Sequence, residues 1–401
     1  MKRCDVAVIG AGAAGIAAAI TTARAGLKTL LIEQDSQPGG TVVKGSITTL
    51  CGLYVNANDV PHFVYDGFTA EFVHGLMRKD DVEAPLKMGR LYVLPFRPHS
   101  FQQLTCRLIQ AEESLHILSS SQLLRVAVGR ERIDGLVLRT AAEILEIEPG
   151  LVIDCSGNAV VSCLAGKAVM SGDAARQTPA VMIPVTNVAG SLTSPARRIQ
   201  ILLTLQRAVN AGTLPAQAAT AAFMPTLDDG IVVLKVNTGT VFLAATLTLE
   251  EITNRAGQIV SDIMAFLQSN VAEFSNSRVR DDGFLLLDRC SRRSVGRYVV
   301  TGSDVLGAAV FPDAATRGCW PVEQWDQQGR QHLGYLPEGK CYDIPAGALQ
   351  ARDYENLLMA GKTLSADDDA IASARVIGCC LATGEAAGRL AICLADTGEA
   401  N

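Results

Sequence analysis

The N-terminal part of the chain places two short apolar runs on either side of a stretch rich in alanine. Residues 4–9 (CDVAVI) are mostly apolar and β-branched, which is typical of a strand buried on both faces. Residues 13–25 predict a helix, and Gly26 suits its C-terminal cap. Residues 29–32 (TLLI) form the second run, which ends at Glu33. This order predicts a β-α-β unit with parallel strands and a right-handed crossover.

The hydrophobic pattern changes twice along the rest of the chain. The first part predicts helices at 62–77 and 98–113 and strands at 123–128, 133–139, 143–147 and 151–154. Alternating segments in the middle predict strands at 180–188, 231–236 and 240–246, beside helices at 195–210 and 250–274. The last part predicts a buried strand at 357–360 and a long helix at 373–394.

These elements predict an α/β protein with two domains, since 401 residues exceed one simple core. The first is a Rossmann-type domain with a parallel sheet, formed by residues 1–165 and 283–401. The second is a smaller α+β substrate domain with a mixed or antiparallel sheet, formed by residues 166–282.

A glycine motif lies between the first predicted strand and helix. Gly10, Gly12 and Gly15 have the G-x-G-x-x-G spacing, with Ala13 and Ala14 between them. Gly10 permits a tight turn, Gly12 lets a pyrophosphate approach the backbone, and Gly15 lets helix and strand pack closely. The phosphates then lie at the helix N-terminus, where free N–H groups and the helix dipole favour negative charge.

Glu33 and Gln34 follow the second predicted strand at the distance that a dinucleotide-binding unit requires. A carboxylate there accepts hydrogen bonds from both ribose hydroxyls and repels a 2′-phosphate, so NADP is disfavoured at this site. The alternative is a glycine-rich helix start followed by an unrelated surface acid.

Four further segments carry a family resemblance. They are the glycine pair before Thr41 (Gly39-Gly40), VIDCSGNA at 152–159, RRSVGRYVVTGSDVLGAAVFPDAATRG at 292–318 and LLMAGKTLSADDDAIASARVIGCCLATGEAAG at 357–388. Together they resemble the FAD-dependent oxidoreductase family of the glutathione-reductase-like flavoprotein superfamily. The resemblance is weak between 166 and 282, where substrate choice is usually encoded.

The resemblance implies an extended FAD. Adenine would lie against the strand near Leu124 and Val126, and the isoalloxazine near a helix start at Arg375 and Val376. A helix N-terminus stabilises the negative charge of the reduced ring. The other residues that would bind FAD are Gly10, Gly12, Ala13, Ala14, Gly15, Glu33, Gln34, Gly40, Thr41, Ser156, Gly157 and Gly361.

Two residues are candidates for chemistry beside the flavin. Cys51 lies in the segment that follows the glycine pair and is either a redox thiol, a small flavin-contacting residue or an inert buried thiol. Arg375 is either a charge near the flavin or a salt-bridged helix residue. A separate group of arginines is either an ion-pair network or a site for a carboxylate or phosphate; its members are Arg289, Arg292, Arg293 and Arg297.

Composition and charge limit the classes of partner that the protein is expected to bind. The net charge is −6, with 35 basic and 41 acidic residues and no basic run, which argues against nucleic acid. The 11 cysteines are scattered without a C-x-x-C pair, so we predict no metal and no disulfide framework. Asp5 and the glycines interrupt the N-terminal apolar stretch, and no apolar run reaches about 18 residues. We therefore expect a cytoplasmic protein without membrane contact.

These observations predict an FAD-dependent dehydrogenase, oxidase or monooxygenase that passes a hydride between a small-molecule substrate and flavin N5. No second G-x-G-x-x-G follows a mid-chain strand, so a dedicated nicotinamide domain is not expected. One alternative is a flavoprotein that matures or modifies a protein partner, and another is a non-catalytic dinucleotide-binding protein. The substrate, the electron donor or acceptor and the oligomeric state stay open.

Overall fold

The computed structural model describes residues 2–172, 177–190, 192, 194–224, 226–239, 249–280, 285–289 and 291–397. The strand predicted at 240–246 lies outside these ranges.

The described residues form ten α-helices and twenty-three β-strands, together with four short 3₁₀ helices. The α-helices are α1 (Ala13–Arg24), α2 (Gly40–Lys44), α3 (Gly67–Asp80), α4 (Pro98–Gln110), α5 (Val160–Leu164), α6 (Pro195–Asn210), α7 (Leu249–Asn270), α8 (Gly302–Leu306), α9 (Asp368–Ala374) and α10 (Ile377–Asp396). The 3₁₀ helices are Ala216–Thr220, Ala272–Phe274, Ala346–Ala348 and Gly361–Thr363.

The strands fall in two groups along the chain. The first group is β1 (Lys2–Ile9), β2 (Thr29–Ile32), β3 (Thr49–Leu50), β4 (Tyr54–Ala57), β5 (Val60–Phe63), β6 (Leu86–Met88), β7 (Leu91–Pro95), β8 (Leu115–Leu118), β9 (Gln122–Val128), β10 (Ile133–Arg139) and β11 (Ile144–Asp154). The second group is β12 (Val169–Met170), β13 (Ala180–Thr186), β14 (Ala222–Met224), β15 (Val232–Asn237), β16 (Arg278–Val279), β17 (Leu285–Leu287), β18 (Arg293–Ser294), β19 (Ala314–Gly318), β20 (Val322–Trp325), β21 (Gln331–Gly334), β22 (Tyr342–Pro345) and β23 (Leu357–Met359).

The main sheet has the order β8-β2-β1-β11-β10-β9, and β23 also pairs with β11. Strands β8, β2, β1, β11 and β23 are parallel, whereas β9 and β10 add an antiparallel meander. Alternate residues of β1 enter two different cores, with Val6 and Val8 on the side of α1 and α10 and Ala7 and Ile9 on the other. Both faces are therefore covered, as parallel strands require, and the predicted β-α-β unit is confirmed.

Strand β11 corrects the prediction of two strands at 143–147 and 151–154. It runs unbroken through Pro149 because it changes partner there: β10 pairs with it as far as Ile147, and β23 pairs with it from Val152. Proline lacks an N–H and is tolerated where a ladder is interrupted. The Pro-Gly pair therefore marks a change of neighbour and not the end of a strand.

The middle region forms an antiparallel sheet of order β14-β15-β13-β16, with β17 also paired to β13. Helices α6 and α7 contribute to its core through Ile201, Leu205, Ile263 and Leu267. The predicted mixed or antiparallel sheet is confirmed. Because β17 joins this sheet, the sheet extends past the domain boundary predicted at residue 282.

Two predicted helices divide differently in the structure. The stretch at 62–77 begins as β5, which pairs with β4, and only α3 is helical. The helix predicted at 373–394 is α9 followed by α10, with Arg375 as the C-cap of α9 and Val376, in an extended conformation, as the N-cap of α10. The first break reflects a local hairpin between β4 and β5, whereas at the second the start of α10 contacts a distant segment through Gly378 N and Cys51 O.

Helix α10 is the one helix in the described ranges that is long and apolar enough to cross a membrane. Of its most apolar window, 67% is buried inside the protein, where α10 packs against α1. The core helix of a folded domain meets the same criteria of length and composition, so α10 is weak support for a membrane span.

Candidate dinucleotide-binding site

The three glycines of the loop between β1 and α1 have different surroundings. Gly10 has a φ of +95°, and a Cβ on it would lie 2.7 Å from Cys155 O. A Cβ on Gly15 would overlap Gly10 O. At Gly12, by contrast, no described heavy atom lies within 4 Å of a built Cβ. Gly10 and Gly15 are thus required by packing, whereas Gly12 faces open space at the N-terminus of α1.

Glu33 fixes this loop from the end of β2. Its side chain is buried, with 5% exposure for the residue. One carboxylate oxygen accepts a 2.6 Å hydrogen bond from Ala11 N, and the other accepts a 2.9 Å bond from Asp35 N. Asp35 in turn forms a 2.9 Å ion pair with Lys44. The acid predicted to bind ribose therefore also organises the backbone around the phosphate position.

We expect Glu33→Gln to weaken FAD binding by about 10- to 100-fold, or roughly 1.4–2.8 kcal/mol. The amide has one acceptor oxygen, so one of the two backbone N–H groups would face an NH₂ group. Titration of FAD into flavin-free protein measures the change. Glu148→Gln, which removes only the exposed pair with Arg3, is the control. Wild-type affinity in Glu33→Gln would contradict the role of its carboxylate.

A cavity of about 440 Å³ extends from this loop along the carboxyl ends of the parallel strands. Twelve of the predicted binding residues line it: Gly10, Gly12, Ala13, Ala14, Glu33, Gln34, Gly40, Thr41, Ser156, Gly157, Gly361 and Arg375. The open face of Gly12, the buried acid and the free start of α1, whose N-cap makes no side-chain hydrogen bond, suit a dinucleotide. These residues fit an extended FAD.

The structure places three predicted residues elsewhere. Val126 packs in the core beside the meander, and the cavity wall there is formed by Ser121, Gln122 and Leu123. Gly15 lies beneath the loop, and Val376 lies beside it at the start of α10. Sequence reasoning also missed several lining residues; they are Asn158, Leu285, Lys362 and Cys380.

Asp154 organises the turn that carries Ser156 and Gly157. Its buried carboxylate accepts hydrogen bonds from Ser156 N (2.9 Å), Ser156 Oγ (2.6 Å) and Val161 N (3.0 Å). Burial raises the pKa of this carboxyl. The backbone carbonyl oxygen of Asp154 accepts a 2.6 Å hydrogen bond from Thr363 Oγ1. This bond connects the turn to the segment at 357–388. In the sequence, the feature that indicates this turn is an apolar strand that ends in an acidic residue.

The segment after the glycine pair meets the start of α10. Gly378 N donates a 3.0 Å hydrogen bond to Cys51 O, and a Cβ on Gly52 would lie 2.5 Å from Val376 Cγ2. The structure therefore brings Cys51 to the start of α10. Burial raises the pKa of the Cys51 thiol to about 12. A protonated thiol favours a small contact residue over a redox thiolate at neutral pH.

Arg375 bridges the cavity and the protein interior. It lines the cavity, and its guanidinium donates to Arg289 O (3.3 Å) and Glu323 O (3.1 Å). The other arginines do not form one cluster. Arg293 is buried against Asp368 at 2.5 Å, and Arg292 donates to Asn158 Oδ1.

A strand, a glycine turn, a helix and an acid after the second parallel strand define a dinucleotide-binding fold. Residues 5–400 match the family model described as FAD dependent oxidoreductase, and the chain belongs to that family. It is therefore an enzyme that binds FAD.

Known relatives agree with this assignment over parts of the chain. Dihydrolipoyl dehydrogenase of Chlamydia pneumoniae is 37% identical over 96 residues, which are 22% of this chain and 21% of that protein. Protein FixC of Azotobacter vinelandii is 47% identical over 64 residues, 16% of this chain and 14% of that protein. The matches thus span about a fifth or less of these relatives.

Solved structures share the fold over the whole chain. A geranylgeranyl bacteriochlorophyll reductase-like protein from Thermoplasma acidophilum covers 100% of this chain and 81% of its own, with a TM-score of 0.51 and 14% identity. A triple mutant of a flavin-dependent brominase covers 98% of this chain and 81% of its own, with a TM-score of 0.50 and 12% identity. At these identities the likeness shows the fold alone.

Proposed function

We propose that this enzyme transfers a hydride between a small-molecule substrate and N5 of FAD bound in the cavity. The observation that supports the proposal is the course of the cavity from Gly12 and Glu33 to Arg375 at the start of α10. Such a course suits an FAD whose ring lies beside Arg375. Leu285 of β17 also lines the cavity, so the middle sheet adjoins it.

Different residues of the chain would bind different parts of FAD. The start of α1 would hold the pyrophosphate of FAD, and Glu33 would hold the ribose. Arg375 and the first turn of α10 would supply positive charge to the flavin ring. The bound FAD supplies the hydride acceptor when oxidised and the hydride donor when reduced.

Two measurements test this function. Purified protein should be yellow, with the oxidised flavin band near ~450 nm. A substrate that bleaches this band without oxygen should bleach it several-fold more slowly when deuterium replaces the transferred hydrogen. Loss of the flavin band on purification, or bleaching without an isotope effect under single-turnover conditions, would count against hydride transfer.

We expect NADH and NADPH to reduce the flavin slowly, with a rate that stays linear in their concentration. The middle sheet is antiparallel, and no G-x-G-x-x-G sequence of the kind that binds a second dinucleotide follows β13 or β15 in the sequence. Anaerobic rapid mixing measures the rate. The control is dithionite, which should reduce the same sample completely. Fast, saturable bleaching with a dissociation constant in the low micromolar range would overturn this expectation.

A further inference from the structure

A group of charged and aromatic side chains lies between the middle sheet and the C-terminal region. Lys235 of β15 places Nζ 3.7 Å from the centre of the Trp325 ring on β20. Arg289 places Cζ 4.8 Å from the centre of the same ring. Glu323 lies on β20, and Arg375 donates to its carbonyl oxygen. We call these five residues the Trp325 cluster; it adjoins the FAD cavity through Arg375.

The only carboxylate in the cluster is held by uncharged donors. Glu323 accepts 2.9 Å hydrogen bonds from Trp320 Nε1, Trp325 Nε1 and Gln331 Nε2. Trp320 and Gln331 thereby occupy lone pairs that could otherwise pair with a cation. Three basic side chains thus share one carboxylate, which already accepts three hydrogen bonds from uncharged donors.

Lys235 is the basic group of the cluster with the fewest partners. Within the described ranges, Nζ makes no ion pair or hydrogen bond and contacts the face of the indole. Arg289, by contrast, donates to Asn237 Oδ1 at 3.0 Å and to Thr178 O. An ammonium group in contact with an aromatic face has up to three donors still to satisfy. An acceptor supplied by a ligand could pair with these donors.

The charge state of Lys235 responds to its surroundings. Burial, and then the positive charges of Arg289 and Arg375, lower its pKa to about 7, while Glu323 and Cys51 act in the opposite direction. An anion that binds beside the amine favours its charged form, so binding would be accompanied by proton uptake. Below about pH 7 the amine is already charged, and well above this pH it must first be protonated.

We propose that the Trp325 cluster binds a carboxylate group of the substrate, with Lys235 as its principal partner. The inference rests on the function proposed above and names its substrate class, an organic acid. Three cations and one carboxylate leave a net charge of +2 when Lys235 is protonated and +1 when it is neutral, so the cluster favours an anion in both states.

The test uses the FAD-bound enzyme and matched probes. Benzoate and acetate are titrated against benzamide and acetamide, which have the same shape without the charge, and the visible flavin spectrum reports binding. We expect the carboxylates to bind at least about 10-fold more tightly than the amides at pH 6, and to lose about 10-fold in affinity by pH 8.5. Inorganic phosphate is included as a dianion.

Variants assign the effect to Lys235. Lys235→Met should weaken carboxylate binding at pH 6 by about 10-fold and remove its pH dependence. Lys235→Arg should retain binding, also without pH dependence. Lys167→Met is the matched control, because Lys167 lies over the Tyr354 ring at 4.9 Å outside the cluster. Its affinities should equal those of the wild type.

Several results would contradict the proposed carboxylate subsite. They are equal affinity for carboxylate and amide, no carboxylate-specific spectral change up to about 100 mM, tighter binding of phosphate, and unchanged carboxylate binding in Lys235→Met. The FAD content and photoreduction of each sample are recorded in parallel. If the samples contain reducible FAD, such a result removes the subsite alone; if they contain none, the proposed function fails as well.

Discussion

Gly12→Val is expected to give a folded protein that purifies without FAD. The backbone at Gly12 has φ −77° and ψ −175°, which a valine adopts without strain. A built Cβ has no described heavy atom within 4 Å, so the valine side chain begins in open space. It would fill the space through which a pyrophosphate reaches the start of α1. The change therefore removes the ligand and spares the fold.

The ratio of flavin to protein absorbance measures this loss, and circular dichroism with thermal unfolding checks the fold. Gly15→Ala is the informative comparison, because its Cβ would overlap Gly10 O. That variant should unfold at a lower temperature or fail to accumulate. A Gly12→Val protein that retains one FAD per chain would show that the pyrophosphate does not lie at this loop.

Arg375→Ala is expected to lower the flavin midpoint potential by about 60 mV and to slow flavin reduction. Opposite charges about 6 Å apart interact by roughly 3 kcal/mol at an effective dielectric constant of about 20, and this energy corresponds to about 60 mV for a two-electron couple. Two backbone carbonyls hold the guanidinium in place. It can therefore stabilise the reduced, anionic ring with little rearrangement.

Equilibration with a reference dye during slow reduction measures the potential, and sulfite addition gives an independent reading, since a lower potential weakens the adduct. Arg375→Lys keeps the positive charge and should recover part of the shift. Arg352→Ala, which removes an exposed arginine paired with Asp353, should leave the potential unchanged. If Arg375→Ala binds FAD at the wild-type potential, Arg375 is structural and the ring lies elsewhere.

The sequence by itself determined the β-α-β unit, the glycine loop and the acid after β2. These features are local: the strand and helix patterns are contiguous, and Glu33 is bound to Ala11 N across one supersecondary unit. Helix α6 and strand β2 likewise begin and end at their predicted residues. Short-range patterning and capping are sufficient for such elements.

Only the tertiary structure decided which distant segments complete the site. Lys235 looks like an ordinary polar position in an alternating strand until β15 packs beside Trp325. The break at Val376 appears only because Gly378 N bonds Cys51 O, more than three hundred residues away. Partner choice along a strand edge, burial and the resulting pKa values depend on contacts between segments far apart in the chain. Such contacts do not appear in the hydrophobic pattern of either segment alone.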